Sequence, residues 1–273
     1  MTRAIRSLVD GLSRQGRSLA GQMALAARVA GLATLVLAGT VGVGAQANRR
    51  AEIDVTAYNI QAEIEPALQN LTATATVAFT VKSPYATSVS FELNNALAVS
   101  RVTDKAGNSL ETDRDLKTHT ITVTLAQPLR DGGQEELSFL YGGRLSGVEE
   151  SPVYGIRFAA IGPEQSYLLY PSRWFPVSGY TTDPFAWSIQ VTAPSTHQAV
   201  GSGDTKDTTG ADGKAVRTFM SSRPGFGGNI ALAVKDPSVV NAEGVQSRIF
   251  FRGEKANLAQ AYGDETGKLL RLL

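Results

Sequence analysis

From Thr56 onward the apolar residues of this chain recur at every second position, and that period decides what the chain can fold into. The cleanest run puts Leu71, Ala73, Ala75, Val77, Phe79 and Val81 on one parity and Thr72, Thr74, Thr76, Ala78 and Thr80 on the other. Successive side chains of an extended strand point to opposite faces, so this run buries one face and turns a threonine-rich face to water. A helix would scatter the same residues around its circumference. Tyr58, Ile60, Ala62 and Ile64 form a second alternating set, and Val89, Phe91 and Leu93 a third. Phe139 with Tyr141 continues the pattern, as do Trp187, Ile189 and Val191, and Thr118 to Leu125 (THTITVTL) repeats the threonine-rich design. Turn signals stand between the runs: Glu65-Pro66, Ser83-Pro84, Lys105-Ala106-Gly107-Asn108 and Arg130-Asp131-Gly132-Gly133. Strands so closely spaced, with no helical pattern between them, predict an all-β fold whose antiparallel sheets stack as a β-sandwich rather than as βαβ units.

The composition then removes function classes. The net charge of +1 hides an asymmetry: residues 1–50 hold seven Arg and one Asp, a balance of +6, which leaves −5 on residues 51–273. A mildly acidic folded part argues against a nucleic-acid partner. The absence of cysteine removes disulfides, thiolate metal sites and cysteine nucleophiles together. Only two histidines are present, His119 and His197. His119 shares parity with Ile121, Val123 and Leu125, which predicts a strand-end residue on or beside the buried face, bonded to backbone; His197, in Pro194-Ser195-Thr196-His197, reads as a turn residue. Glu149-Glu150 reads as a solvated loop, since an acid/base pair needs two carboxylates in opposed environments. Gly201-Ser202-Gly203 reads as a turn: it lacks the G-x-S-x-G spacing of a nucleophile elbow and no helix follows.

The first fifty residues have the form of an export address. Arg3, Arg6, Arg14, Arg17 and Arg28 precede an apolar run from Val29 to Ala45, and Ala45-Gln46-Ala47 follows as the small-x-small pattern of a signal-peptidase site. At about 1.5 Å per residue the run spans roughly 25 Å, short of a bilayer core, and it is rich in glycine rather than leucine. The expectation is a signal helix over residues 1–47, cleaved after Ala47, with export to the periplasm or the extracellular space. Met23 is a second candidate start, and the alternative is a membrane anchor over residues 29–45. At the other end, residues 255–273 turn helical, with Leu258, Ala261, Tyr262 and Glu265 at helical spacings and Gly263 and Gly267 as weak points. Leu269, Leu270, Leu272 and Leu273 then arrive without a closing glycine or a polar tail, which predicts exposed leucines that want a partner.

Several phrases, taken in order, resemble the N-terminal domain of the zinc aminopeptidases related to aminopeptidase N. They are Tyr58-x-Ile60; Leu71-x-Ala73-x-Ala75-x-Val77; Pro128-Leu129-x-x-Gly132 before Glu136-Leu137-Ser138-Phe139-x-Tyr141-x-Gly143; and above all Tyr170-Pro171-Ser172-Arg173-Trp174-Phe175-Pro176. Asp183-Pro184-Phe185, Ile189-x-Val191-x-Ala193-Pro194 and Val200-Gly201-Ser202-Gly203 follow in the family's order. The resemblance covers about residues 55–237 and implies a saddle-like β-sandwich that caps a catalytic domain. Together with the export address it divides the chain into a leader (1–47), a β domain (48–250) and the helix that opens a catalytic domain (251–273).

Catalysis in that family needs H-E-x-x-H on a helix with a downstream Glu: two histidines one turn apart hold Zn²⁺ and the first Glu serves as general base. Here the histidines stand far apart, neither is followed by Glu, and the G-A-M-E-N phrase is missing. The resemblance therefore implies a non-catalytic fragment with no catalytic or metal-binding residue of its own, inactive alone, with zinc expected in the full-length parent. Its partners would be the missing catalytic domain and, through the parent, a peptide substrate; a membrane enters only if the leader stays uncleaved. In the family an acidic or amide side chain shortly before the aromatic-Pro segment helps bind the substrate's free amino group, because a carboxylate beside a zinc site selects an ammonium. Glu164 and Gln165 stand nearest that place, although Gly162-Pro163 before them equally marks a solvated turn. The other reading is a stand-alone secreted β-sandwich binding module without enzymatic activity.

Overall fold

The structure, a computed structural model, describes residues 51–146, 157–179, 184–210, 212–234, 236–251 and 253–272. The expected leader, the Glu149-Glu150 pair and Leu273 lie outside these residues. Strands β1 (Ile53–Glu65) and β2 (Asn70–Val81) form a long hairpin in the register Ile64 opposite Leu71 and Ala62 opposite Ala73. Glu65-Pro66 makes the turn as the sequence predicts, with Gln69 at φ 57° closing it. An extra residue at Thr56 bulges β1 between Val55 and Ala57. The alternating residues of both strands, Tyr58 to Ile64 and Leu71 to Val81, are buried on one face.

β3 (Tyr85–Glu92), β5 (Thr112–Asp115) and β6 (Thr120–Arg130) form a separate three-stranded sheet in the order β3-β6-β5. β4 (Ala98–Thr103) and β7 (Gln134–Arg144) extend the large sheet instead, beside β2. The turn Asp131 to Gly133 thus carries the chain from one sheet to the other, and Gly132 N–H and Gly133 C=O pin it to Val81 at 2.8 Å each. Phe91 of β3 meets Phe79 and Phe139 of the large sheet edge-on, at 6.3 and 5.0 Å between ring centres. These contacts are the middle of the sandwich predicted from the period of two. Strand β6 starts later than the threonine pattern suggests. The Asp115 carboxylate accepts the Lys117 N–H at 2.8 Å and the Thr118 hydroxyl at 2.9 Å, which holds a turn over residues that would otherwise extend the strand. His119 therefore sits half-buried at the strand's mouth at φ 55°, its carbonyl accepting from Leu93 N–H at 2.9 Å.

A second small sheet holds β8 (Ala159–Ala160), β9 (Gln165–Leu168), β11 (Gln198–Gly201) and β14 (Ile230–Ala233), in the order β11-β14-β9-β8. The large sheet is completed by β10 (Phe185–Ala193), β12 (Asp204–Thr209) and β13 (Ala215–Gly225), in the order β12-β13-β10-β1-β2-β7-β4. Its strands pair antiparallel except at β1 and β10, which run parallel with Tyr58 opposite Trp187 and Ile60 opposite Ile189. A parallel pair needs a long crossover, and the intervening chain that builds the other sheets supplies it.

β15 (Ser238–Ala242) and β16 (Val245–Ile249) form a two-stranded hairpin, and helix α1 (Ala259–Arg271) lies against it. The helix buries Ala259, Gly263 and Gly267, one residue per turn. A Cβ at Gly263 would come within 2.4 Å of Val240, and one at Gly267 within 2.5 Å of the Ala242 carbonyl oxygen. The glycines expected to weaken the helix are thus its contact face: they let two backbones approach closely. Leu269, Leu270 and Leu272 are exposed, as the sequence predicts. Among the described residues no helix is long and apolar enough to cross a membrane.

Candidate functional site

The turn Gly162-Pro163-Glu164 links β8 to β9, and its backbone is fastened from several directions. His197 reaches it from the turn before β11: with Pro163 C=O at 3.0 Å, Nε2 must carry the proton and donate, which leaves Nδ1 to accept from the Thr196 hydroxyl at 3.1 Å. The buried Ser166 hydroxyl lies 3.3 Å from both the N–H and the C=O of Gly162. Val234 N–H donates to the Glu164 carbonyl at 3.2 Å. The carboxylate of Glu164 stays in water, while Gln165 is half-buried as the first residue of β9, opposite Ala233. The turn is a rigid pedestal with an acid on top, an arrangement able to pair with an ammonium. His197 is the turn residue that the sequence predicts, and both of its ring nitrogens are engaged.

The aromatic-Pro segment follows at once. Pro171–Arg173 form a single 3-10 turn with proline at its start, where its missing N–H costs no bond. Trp174 is fully buried, and its indole N–H donates to Gly228 C=O at 2.8 Å. Its ring meets Phe175 at 4.8 Å, and Phe175 meets Tyr58 of β1 at 5.1 Å. The polar half of the segment is clamped by the end of β3. Glu92 Oε1 accepts from the Ser172 hydroxyl at 3.1 Å and lies 3.4 Å from Arg173 Nη2, while the Glu92 backbone exchanges bonds with Val177 at 2.8 and 3.0 Å. Asn94 adds a further tie: its N–H donates to Ser172 C=O at 2.9 Å and its amide to Arg173 C=O at 3.3 Å. Arg173 is buried, and among the described residues its Nε and Nη1 have no hydrogen-bond partner. Glu92 and Asn94 escape sequence reasoning, because no local pattern ties residues 92–94 to residues about 80 positions later.

The other candidates stay apart. Ser202 is exposed in the short link from β11 to β12, and Gly203 beside it sits at φ 96° with only 2.4 Å between a would-be Cβ and the Met220 carbonyl oxygen, so this is a tight turn. His119 ends the turn that leads into β6, and His197 belongs to the turn described above. Among the described residues no three His, Asp or Glu side chains converge on a point that could hold a metal ion, so these residues do not fit a zinc site.

No protein-family model matches the sequence, and a comparison with curated proteins finds no match. The fold does have solved counterparts. An M1 zinc metallopeptidase from Deinococcus radiodurans, bound to a Tyr-Ser-Ala substrate, is 21% identical over 68% of this chain and 43% of that one, with a TM-score of 0.58. A two-domain M1 zinc metallopeptidase bound to L-arginine is 20% identical over 82% of this chain and 54% of that one, with a TM-score of 0.61. The chain therefore spans about half the length of the solved structures it matches. Its fold is that of a portion of the M1 zinc metallopeptidases, the aminopeptidase N group that the sequence phrases resemble.

Proposed function

We propose that this chain supplies the non-catalytic N-terminal β domain of an exported zinc-dependent aminopeptidase. It caps the active site and helps hold the free amino group of a peptide through Glu164 or Gln165. The observation that carries the reading is the fold shared with M1 zinc metallopeptidases over as much as 82% of the chain, at about half their length. The zinc and its ligands belong, on this reading, to a catalytic domain that residues 251–273 begin, and the exposed leucines of α1 dock on it. Each Leu taken from water there contributes on the order of 1.5–3 kcal/mol. Residues 1–47 direct export to the periplasm or the extracellular space and are removed after Ala47; residues 48–250 form the β domain. The partners are the catalytic domain and a peptide, without nucleic acid.

The test joins the chain to the polypeptide encoded after Leu273. The chain alone should release no 4-nitroaniline from aminoacyl nitroanilides and carry no stoichiometric zinc, whereas the joined protein should do both. In the joined protein, Glu164→Ala or Gln165→Ala should raise KM for unblocked peptides. An encoded continuation without H-E-x-x-H, or a KM unmoved by both substitutions, would contradict the corresponding part of the reading.

A further inference from the structure

Beside His197, which bonds Pro163 of the Glu164 turn, a cleft of about 360 Å³ is lined by β10, the turn before β11, and strands β12, β13 and β16. Its volume is that of a pocket for a small molecule or for one side chain with its flanking groups. The floor is aliphatic: Val191, Ala193 and Ala199 are all buried residues that line it. One wall holds an ion pair that is already complete. Arg217 donates through Nε and Nη2 to the two oxygens of Asp207 at 2.5 and 2.6 Å, and through Nη1 to Ala199 C=O at 2.6 Å. Three of its five N–H groups are engaged and its charge is cancelled by Asp207. The remaining cation is Arg248, carried by β16 into the lining of the cleft; it is exposed and makes no ion pair or hydrogen bond among the described residues. Asp236 stands outside the lining and is engaged by the Gln198 amide at 2.5 Å. The cleft therefore offers an aliphatic floor, one uncommitted guanidinium and a net charge of +1 from its lining residues.

We propose that this cleft binds a carboxylate bearing a short aliphatic group, with the carboxylate on Arg248 and the aliphatic group on Val191, Ala193 and Ala199. A guanidinium grips a carboxylate through paired N–H donors, while buried methyl groups reward an apolar neighbour but not a charged one. The site shares His197 with the fastening of the Glu164 turn, but its proposed contacts use neither Glu164 nor Gln165, and it does not depend on the function proposed above. The chemistry has two natural sources: the C-terminal residue of a peptide and a free branched-chain acid.

The experiment titrates the full chain with N-acetyl-L-valine, N-acetyl-L-valine amide and 3-methylbutanoate, read by protein NMR shifts and calorimetry. The acid should bind at least about tenfold more tightly than its amide, as one charge-assisted hydrogen bond allows. Arg248→Gln, at an exposed position, should reduce the acid to the affinity of the amide. Ser195→Trp, at the exposed mouth of the cleft, should abolish binding of both. Added salt should weaken the acid and spare the amide. Tighter binding of N-acetyl-L-valine than of 3-methylbutanoate assigns the site to peptide C-termini, and equal binding assigns it to simple branched acids. No saturable binding, equal affinity for acid and amide, or an acid preference that survives Arg248→Gln would overturn the proposal.

Discussion

Glu92 and Arg173 form a lopsided pair, and removing its two members should have opposite consequences. The Arg173 side chain is 7% exposed and the Glu92 side chain 44%, with 3.4 Å between them. The guanidinium has left water almost completely, whereas the carboxylate keeps nearly half of its contact with it. Glu92→Ala deletes the acceptor of the Ser172 hydroxyl, worth about 1 kcal/mol, and leaves a buried cation without its counter-charge. Breaking a buried pair in that way costs about 3–5 kcal/mol when both partners are dry; solvent at Glu92 and the long contact bring the expected total to about 2–3 kcal/mol. Arg173→Met keeps the bulk of the side chain but removes the charge and two buried nitrogens that have no hydrogen-bond partner among the described residues, Nε and Nη1. Such replacements are neutral or stabilising, so Arg173→Met should stay within about 1 kcal/mol of the parent or exceed it. The double variant should recover about 1–2 kcal/mol of the loss caused by Glu92→Ala. Urea unfolding followed by tryptophan fluorescence suits the question, because the chain has two tryptophans and one of them is Trp174, next to Arg173. If Arg173→Met proved as damaging as Glu92→Ala, the guanidinium would be a net stabiliser and the desolvation argument would be refuted.

Tyr141 is fully buried and its hydroxyl has no hydrogen-bond partner among the described residues; the same burial pushes the phenol well above its ordinary pKa. Tyr141→Phe should therefore raise the unfolding free energy by about 1 kcal/mol in denaturant titration. Gly263→Ala would favour an isolated helix by about 1 kcal/mol, but the new methyl meets Val240 at 2.4 Å. Hydrogen exchange should quicken in α1 and in the β15–β16 hairpin while the sandwich keeps its midpoint, and Val240→Ala should restore protection. Arg217 holds the Asp207 carboxyl below its ordinary pKa, so the folded state binds that proton less readily than the unfolded chain. The stability this adds is present above about pH 4, the unfolded value, and is lost as pH falls through the depressed folded one. Asp207 is 59% exposed, so Asp207→Asn should cost under about 1 kcal/mol at pH 7 and the difference should vanish in acid.

The strands that carry the sandwich were legible because each half-buried strand writes its own period. Leu71 to Val81 needs no distant residue to reveal which face is buried, and the burial of β2 follows its spelling residue by residue. Pairing is another matter. Nothing in Tyr58-Asn59-Ile60 announces that β1 lies parallel to β10, since register depends on segments about 130 positions apart. Gly263 and Gly267 were misjudged for a related reason. Helix propensity scores a residue against its own helix, and by that measure glycine is only a loss. The gain lies in the approach to Val240 and Ala242, residues of a hairpin that propensity does not see.

The candidate site divides along the same line. Glu164 was legible as an acid after Gly162-Pro163, but the features that hold it come from elsewhere in the chain: His197, Ser166 and Val234 fix the turn's backbone. These contacts restrain the main chain and leave the carboxylate to solvent. Within the described residues, then, the fold determines where Glu164 stands and not what it meets. A substitution at Glu164 should accordingly be nearly silent in the stability of the chain, because no described contact involves its carboxylate. Weakening the pedestal should act the other way. His197→Ala frees Pro163 C=O and should lower stability by about 1 kcal/mol, whatever the carboxylate binds. Measuring both on the same chain separates an acid retained for a ligand from one retained for the fold. A loss of stability with Glu164→Ala equal to that with His197→Ala would place Glu164 among the structural residues and remove it from the substrate-binding proposal.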